Sequence, residues 1–499
     1  MAKLLTTVSV AVLMSFGPAI AEVPNDSSVI ALANRLDNTT FARDKIEIGN
    51  RLAYWAPVFE TLLTIMPDGS IQPNLATEWS YNDDNTELTL KLREGVSFTD
   101  GTPFDAEAVR ANFEALRIGT GQNVWMVQSI ESYEIVSPSE IVVHLSEPDP
   151  ALVRNLTLVA GAMASPASLG TEEAANVPVG TGPYTYDTEE SVVGRQYVYQ
   201  RNPDYWNPED FPFDTMTIAP MTDLSARINA LKSGQVDVAA GETISVADAK
   251  ANGFNVTTNP VNWQGIFLAD RDGTMNPAIA DLRVRQAINM AFDQKSILTY
   301  VEQGYGVLSD QVFPETSISY DPELTNYYPY DPERARALLK EAGYGDGLTV
   351  TMPEAPQFAQ YYPIIEQQLN DVGIEVNWVR VSPDALISDL TNGRFGVFFF
   401  RLGNQSDWGD LLKLAFEDSA WNPLGATTPE MQDLLATAQN ASEADRPAAF
   451  QAVNRYLVEN AWYAPWYRPE SIDITAPDVV EQPIPGNVVT FPEFYKPAE

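Results

Sequence analysis

The segment Arg401-Leu402-Gly403-Asn404-Gln405-Ser406-Asp407-Trp408 gathers a guanidinium, two carboxamides, a hydroxyl, a carboxylate and an indole directly after the apolar run Phe395 to Phe400. Such a run reads as a buried strand, and a polar cluster at the C-terminal edge of a buried strand is where α/β clefts bind ligands. Two plainer readings stand beside this one: Asp407 on a solvated turn, and Arg401 in an internal salt bridge. Aromatic side chains able to line a site are Trp125, Trp263, Trp408, Trp466 and Tyr467. Flat rings serve peptides, sugars and chelates alike, and each ring serves a core equally well. His144 is the only histidine and lies in the alternating run Ile141-Val142-Val143-His144-Leu145, as a packed or surface strand residue would. With one histidine and no cysteine, direct transition-metal binding lacks ligands, and no cofactor is expected. Phosphate-loop, zinc-protease and serine-elbow signatures are absent, so catalysis finds no motif to rest on.

The elements that must position this cluster are mixed. Early stretches read as strands: Val29 to Arg35, Leu88 to Leu92, and two pieces within Ile135 to Leu145. Glu47 to Met66 has helical spacing followed by a short strand, closing on the turn Pro67-Asp68-Gly69. Asp105 precedes a helix with Val109, Phe113 and Leu116 on one face. Later the order becomes helix and strand in alternation: Leu224 to Gly234, a long amphipathic helix over Asp281 to Tyr300, Asp331 to Ala342 stopped by Gly343, then strand Leu348 to Met352, helix Tyr362 to Val372 and strand Ile374 to Val379. A further helix, Pro383 to Asn392, precedes the apolar strand, and two helices fill Pro429 to Asn460. Strand–helix–strand order implies parallel crossover units. The chain is therefore α/β, with two unequal lobes and an attached subdomain.

The chain has 499 residues, 44% hydrophobic and 20% charged, with 68 Asp+Glu against 30 Lys+Arg and a net charge of −38. No run of cations is present to neutralise phosphates, which discounts nucleic acid, and the same charge disfavours anionic lipid. At the N-terminus, Lys3, the mainly apolar Leu4 to Phe16, the breaker Gly17-Pro18 and the small-x-small triplet Ala19-Ile20-Ala21 form a secretory signal pattern. Cleavage is expected after Ala21, with the mature chain free in the periplasm. Zero cysteines then mean that a large hydrophobic core, without disulfides, must supply stability.

Segments in consistent order resemble one family. They are Val58-Phe59-Glu60-Thr61-Leu62-Leu63, Pro67-Asp68-Gly69 through Glu78-Trp79, Leu92-Arg93-Glu94-Gly95-Val96, Asp100-Gly101-Thr102-Pro103-Phe104, Gly180-Thr181-Gly182-Pro183-Tyr184, Arg201-Asn202-Pro203-Asp204-Tyr205-Trp206, Asp281 to Ile288 and Tyr330-Asp331-Pro332 with Leu338 to Tyr344. Together they resemble the peptide- and nickel-type extracellular solute-binding proteins of ABC importers, solute-binding family 5. The resemblance implies a periplasmic binding protein-like fold of cluster C type, with two α/β lobes hinged around a cleft. Residues 22–66, 178–268 and 468–499 would form the first lobe, 67–177 an inserted subdomain and 269–467 the second lobe, after a signal peptide at 1–21. It implies capture of a small molecule or short peptide by a monomer, and delivery to permease subunits served by a separate ATPase. No enzyme activity is expected. In peptide-binding relatives a segment of this shape carries an acid that pairs with the ligand's α-ammonium, and Asp407 falls on that position with Trp408 beside it. Arg401 falls where some relatives place a cation for the ligand's carboxylate. Trp263 lies near the expected lobe crossover, which makes it the next aromatic candidate. Two departures leave other solutes open: Trp408-Gly409-Asp410-Leu411 lacks the usual proline, and Asn404 stands where an aromatic is common. The alternatives are an opine-like conjugate, an oligosaccharide or a nickel chelate on the same fold, and, from another class, a periplasmic hydrolase.

Overall fold

A computed structural model describes residues 28–404, 406–484 and 489–497. The expected signal peptide and its cleavage point lie outside the described residues. No helix among the described residues is long and apolar enough to cross a membrane.

The largest sheet has ten strands and is organised around one long strand, Tyr463–Thr475. The first half of that strand pairs with Asn262–Leu268 and Gly306–Leu308, and the second half with Asn255–Pro260 and Val238–Ala240. Val29–Asn34 extends the sheet in parallel between Val238–Ala240 and Thr215–Pro220, and Tyr197–Arg201 and Tyr184–Tyr186 follow antiparallel. At the other end Asn262–Leu268 pairs along its whole length with Val397–Gly403, which carries the polar segment. Residues 262–268 therefore run with the strands of the 269–467 region. Pairing partners change at two places along the chain, around Val261 and around Arg468-Pro469.

Alternation assigns the faces, because successive strand side chains point to opposite sides. Val397 and Phe399 join the core with Ile266, Leu268 and Trp466, whereas Phe398 and Phe400 join Trp263, Phe267 and Leu411 on the other side. The 67–177 region holds a separate antiparallel sheet of Ala76–Tyr81, Glu87–Leu92, Glu140–Leu145 and Ile130–Ser137. Helix Ala106–Arg117 covers it, capped by Asp105, whose Oδ1 accepts from the Ala108 amide at 2.9 Å. Val109, Phe113 and Leu116 are buried as their spacing predicts. His144 sits in this sheet opposite Glu87, with Nδ1 3.3 Å from the carboxylate. Leu348–Glu354 and Ile374–Arg380 pair in parallel across helix Tyr362–Asp371, the expected crossover unit.

Two expectations change. The helix over Asp281 to Tyr300 is two helices, Leu282–Met290 and Gln294–Val301. Phe292 turns into the core against Trp466 at 4.7 Å, and Asp293 caps the second helix by accepting from the Ser296 amide at 3.0 Å. Side-chain burial and a strong cap thus override a helical period that continues through the break. The helical spacing of Glu47 to Met66 yields only Gly49–Arg51 as a 3-10 turn and Leu52–Trp55 as one α-turn. The chain beyond is threaded by the glycine loop at 180–182: the Gly182 amide bonds Val58 O at 2.9 Å, and a Cβ at Gly180 would lie 2.0 Å from Val58 O. That close backbone approach is the physical reason for Gly-Thr-Gly-Pro-Tyr.

Candidate ligand cleft

A cavity of about 530 Å³ lies between the 67–177 region and the 269–467 region. Such a volume is within the range of roughly 300–1,000 Å³ that holds small ligands. Ile65, Ile71, Trp79 and Arg154 form one wall, and Ser317, Asp407, Trp408, Arg446 and Phe450 form the facing one.

Asp407 arrives there through local structure. The buried strand Val397–Gly403 ends, Ser406 caps helix Asp407–Leu414 by accepting from the Gly409 amide at 3.1 Å, and Asp407 becomes the helix's first residue. A carboxylate at this position is favoured by the helix dipole. Oδ1 accepts from the Ser317 hydroxyl, from the Ser319 hydroxyl at 2.8 Å and from the Ser319 amide at 3.1 Å. Among the described residues every hydrogen bond to Asp407 ends on Oδ1, and no cation makes an ion pair with it. Burial pushes this carboxyl above its ordinary range, against the pull of the serine donors. Asp410, one turn on, is 2% exposed and already neutralised: Lys413 Nζ and Asn404 Nδ2 each lie 2.6 Å from one of its oxygens. From the opposite wall, burial pushes the Arg154 guanidinium down to about 10, and the charges of Asp407 and Asp410 oppose that shift. The cavity thus holds a carboxylate with an uncommitted oxygen and a guanidinium within its field.

The structure brings Asp407, Trp408, Asn404 and Trp125 together. Trp408 is buried against Phe416 and Phe450 and lines the cavity. Trp125 reaches over from the 67–177 region to Gly409, where a Cβ would lie 3.5 Å from its ring. That is an ordinary contact; the tight neighbour of residue 409 is the capping Ser406 hydroxyl, 2.7 Å from where a Cβ would stand. Asn404 lines the cavity, but its amide is occupied, donating to Val312 O at 3.1 Å and to Asp410 and accepting from Arg468 at 2.7 Å.

Arg401, Trp263, Trp466 and Tyr467 are not brought to the cavity. Arg401 turns to the Val397/Phe399 face, where it donates to Gln264 at 2.8 Å, Glu302 at 2.9 Å and Tyr361 at 3.1 Å. The internal salt bridge of the sequence reading is the contact it makes. Trp263 is fully buried between Phe267 and Tyr463, and Trp466 between Phe292 and Phe399. Tyr467 is fully buried with its hydroxyl 3.4 Å from that of Tyr361. Sequence reasoning missed Ser317, Arg154 and Arg446, which line the cavity, and the buried Ser319 that holds Asp407; all come from segments distant in the chain and carry no local motif.

A second cavity of about 780 Å³ joins Glu60, Asp68, Trp206 and Glu493. Here the signature segments meet: Tyr205 donates to Glu60 Oε1 at 2.8 Å and Trp206 Nε1 does so at 3.0 Å. Glu60 is therefore committed to the fold. Burial pushes Glu60 and Glu493 each up to about 7. A raised folded-state value means the folded state holds the proton more tightly than the unfolded chain. The associated stability is complete below the ordinary carboxylate range and is lost as pH rises through about 7, by up to about 3 kcal/mol for one such group. The thermal midpoint is expected to fall between pH 5.5 and 7.5, and Glu60→Gln, which keeps an acceptor for Tyr205 and Trp206, to flatten that slope. Calorimetric melts across the range check it; a midpoint that rises with pH contradicts it.

Comparison with known proteins follows the same lines. A family profile described as bacterial extracellular solute-binding proteins, family 5 Middle, matches residues 70–421. The glutathione-binding protein GsiB of Escherichia coli K12 is 27% identical over 419 residues, covering 79% of each chain. NikA from Brucella suis, solved with Fe(III)-EDTA, superposes with a TM-score of 0.81 at 24% identity, covering 94% of this chain and all of that one. DppA from Helicobacter pylori, solved with the peptide STSA, gives 0.73 at 21% identity over 94% of this chain and 97% of the other. The likeness to the solved structures shows a shared fold.

Proposed function

This chain belongs to the bacterial extracellular solute-binding proteins of family 5, and we propose that it captures a short peptide, or an amino-acid conjugate of similar size, in the cavity at Asp407. The observation that carries the reading is the Asp407 carboxylate: desolvated, held by Ser317 and Ser319 through one oxygen, and with no cation in ion-pair contact among the described residues, the Arg154 guanidinium acting on it only through space. A ligand ammonium completes it, and an analogue without the amine leaves a buried charge unpaired. The relatives support the ligand class, since GsiB is named for glutathione, a tripeptide, and DppA was solved with a peptide.

In this reading the two bodies are lobes joined at the crossings near Val261 and Arg468-Pro469, with 67–177 inserted in the first. A ligand touching both walls favours the closed arrangement by its differential contacts. The closed form then presents itself to permease subunits in the membrane, and the ligand leaves unaltered. Export to the periplasm agrees with the signal pattern at the N-terminus. The test is a thermal-shift and calorimetric screen of glutathione, di- and tripeptides, opines, oligosaccharides and nickel chelates, with the recovered solute checked by mass spectrometry. Peptides or glutathione should bind and return intact, with a smaller radius of gyration by X-ray scattering. Binding confined to sugars or chelates overturns the ligand class, and a chemically altered solute overturns the transport role.

A further inference from the structure

Two parts of the 67–177 region touch the 269–467 region outside the cavity. The first is the turn between Ala76–Tyr81 and Glu87–Leu92. A hairpin tip is ordinarily solvated, and Asp83 and Asp84 are exposed here. Asn85 beside them is only 9% exposed: it lies against Ala441, whose carbonyl its Nδ2 reaches at 3.5 Å. The second is 147–151, which joins Glu140–Leu145 to the short helix Leu152–Asn155. Gln439 Nε2, at the end of helix Pro429–Gln439, donates to Glu147 Oε2 at 3.2 Å and to Pro148 O at 3.4 Å. Ala151 is buried and joins the apolar cluster that contains Leu435 and Ala438 of that same helix.

The segment 147–151 is also held from its own side. The Asp149 carboxylate accepts from the Ser129 hydroxyl at 2.6 Å and from the Ala151 amide at 2.9 Å, and the Asp149 carbonyl accepts from the Tyr81 hydroxyl at 3.0 Å. A segment fixed in this way loses little freedom on docking. Just beyond it, Pro150, Val153 and Arg154 line the cavity, so one short stretch of chain carries both a cavity wall and a contact across the rim. Asn85, Glu147, Gln439 and Ala441 are not among the lining residues. A contact that no ligand atom touches cannot discriminate between ligands. It adds a constant term to the closed arrangement.

We infer that 147–151 and Asn85 form a latch. Docked on the end of helix Pro429–Gln439, they hold the 67–177 region over the cavity and tighten the binding of every accepted solute by one common factor. This rests on the two-lobe reading above and not on the ligand class. The insertion thereby supplies part of the closing free energy from the protein itself, beside the ligand's own contacts. Gln439 and Asn85 act as positioning residues: each works through the wall it holds in place.

The test uses the full chain with Gln439→Ala, with Asn85→Gly and with both. Asn85 has φ +58°, a left-handed turn that glycine keeps while losing the carboxamide, and alanine suits the helix end at Gln439. Calorimetry with Ala-Leu-Ala and with glutathione should show each single variant weakening both solutes by the same factor, roughly 3-fold, and the double variant roughly 10-fold. Glu147→Gln, which keeps an acceptor for Gln439, should stay within about 2-fold of the unmodified chain. Loss for one solute and not the other, or unchanged affinity for both, overturns the latch. A second measurement needs no bound solute. The chain has no cysteine, so Asp83→Cys and Ala436→Cys, both at exposed positions, take a spin-label pair across the rim. The ligand-free chain should show a short-distance population that the double variant depletes; identical distance distributions overturn the latch. If neither solute binds, the peptide reading fails, and the distance distributions still decide the latch.

Discussion

Asp407→Asn is expected to lower affinity for a free-amine peptide by at least about 1.5 kcal/mol, roughly 10-fold or more, while leaving the unliganded protein at least as stable. Both halves follow from the same geometry. The two serine hydroxyls and the Ser319 amide all donate to Oδ1, an acceptor that asparagine retains. No ion-pair contact within the described residues is lost with the charge, and the through-space attraction to Arg154 is offset by the desolvation that the neutral side chain relieves. Burial already holds the Asp407 carboxyl above its ordinary range, so the unliganded site pays a desolvation cost that the neutral isostere avoids. What disappears is the charge-assisted bond to a ligand ammonium. Calorimetry with Ala-Leu-Ala and its N-acetyl form separates the terms: the unmodified protein should discriminate between them and Asp407→Asn should not. Because the carboxylate must be ionised to bind the ammonium, affinity should also weaken on acidification at a pH above the usual carboxylate range. Equal affinity of the two proteins for the free amine would remove Asp407 from the site.

How much of this was legible beforehand depends on how far each partner lies in the chain. The apolar strand and the acid just after it are local, and local rules place them. The helix at Asp105 and the stop at Gly343 were readable for the same reason. The helix Asp407–Leu414 that Ser406 caps was not among the elements read from the sequence. The serines that hold Asp407 are some 90 residues earlier in sequence, and Arg154 and Arg446 enter from opposite sides of the cleft, so nothing in their own neighbourhoods marks them. Arg401 is a different case. It follows Val397 and Phe399 at a period of two, so the strand's own alternation turns it to their face, toward Gln264 and Tyr361. The signal was present in the spacing and was outweighed by the residue's nearness to Asp407. The split of Leu282–Met290 from Gln294–Val301 was hidden because Phe292 keeps a helical period while packing into another element.

Trp263→Ala should destabilise the protein by about 3–5 kcal/mol and leave the peptide affinity of the folded fraction unchanged. The indole is fully buried, 4.8 Å from Phe267 in a near-parallel stack and 5.4 Å from Tyr463 edge-on. Phe267 continues the stack onto Phe398 at 4.8 Å. One ring column therefore ties together Asn262–Leu268, Val397–Gly403 and Tyr463–Thr475, the middle one of which delivers Asp407. Removing its end leaves a cavity that two paired strands are not free to collapse into, which places the cost at the level of a large core deletion. Trp263→Phe should cost much less, because the indole Nε1 is buried without a partner and phenylalanine removes that unpaired donor along with the lost area. Denaturant melts measure the stabilities, and calorimetry on the folded fraction measures binding. If Trp263→Phe instead weakened peptide binding 10-fold at unchanged stability, the ring would have to reach the ligand in the closed form, and the column would be part of the site rather than the frame behind it.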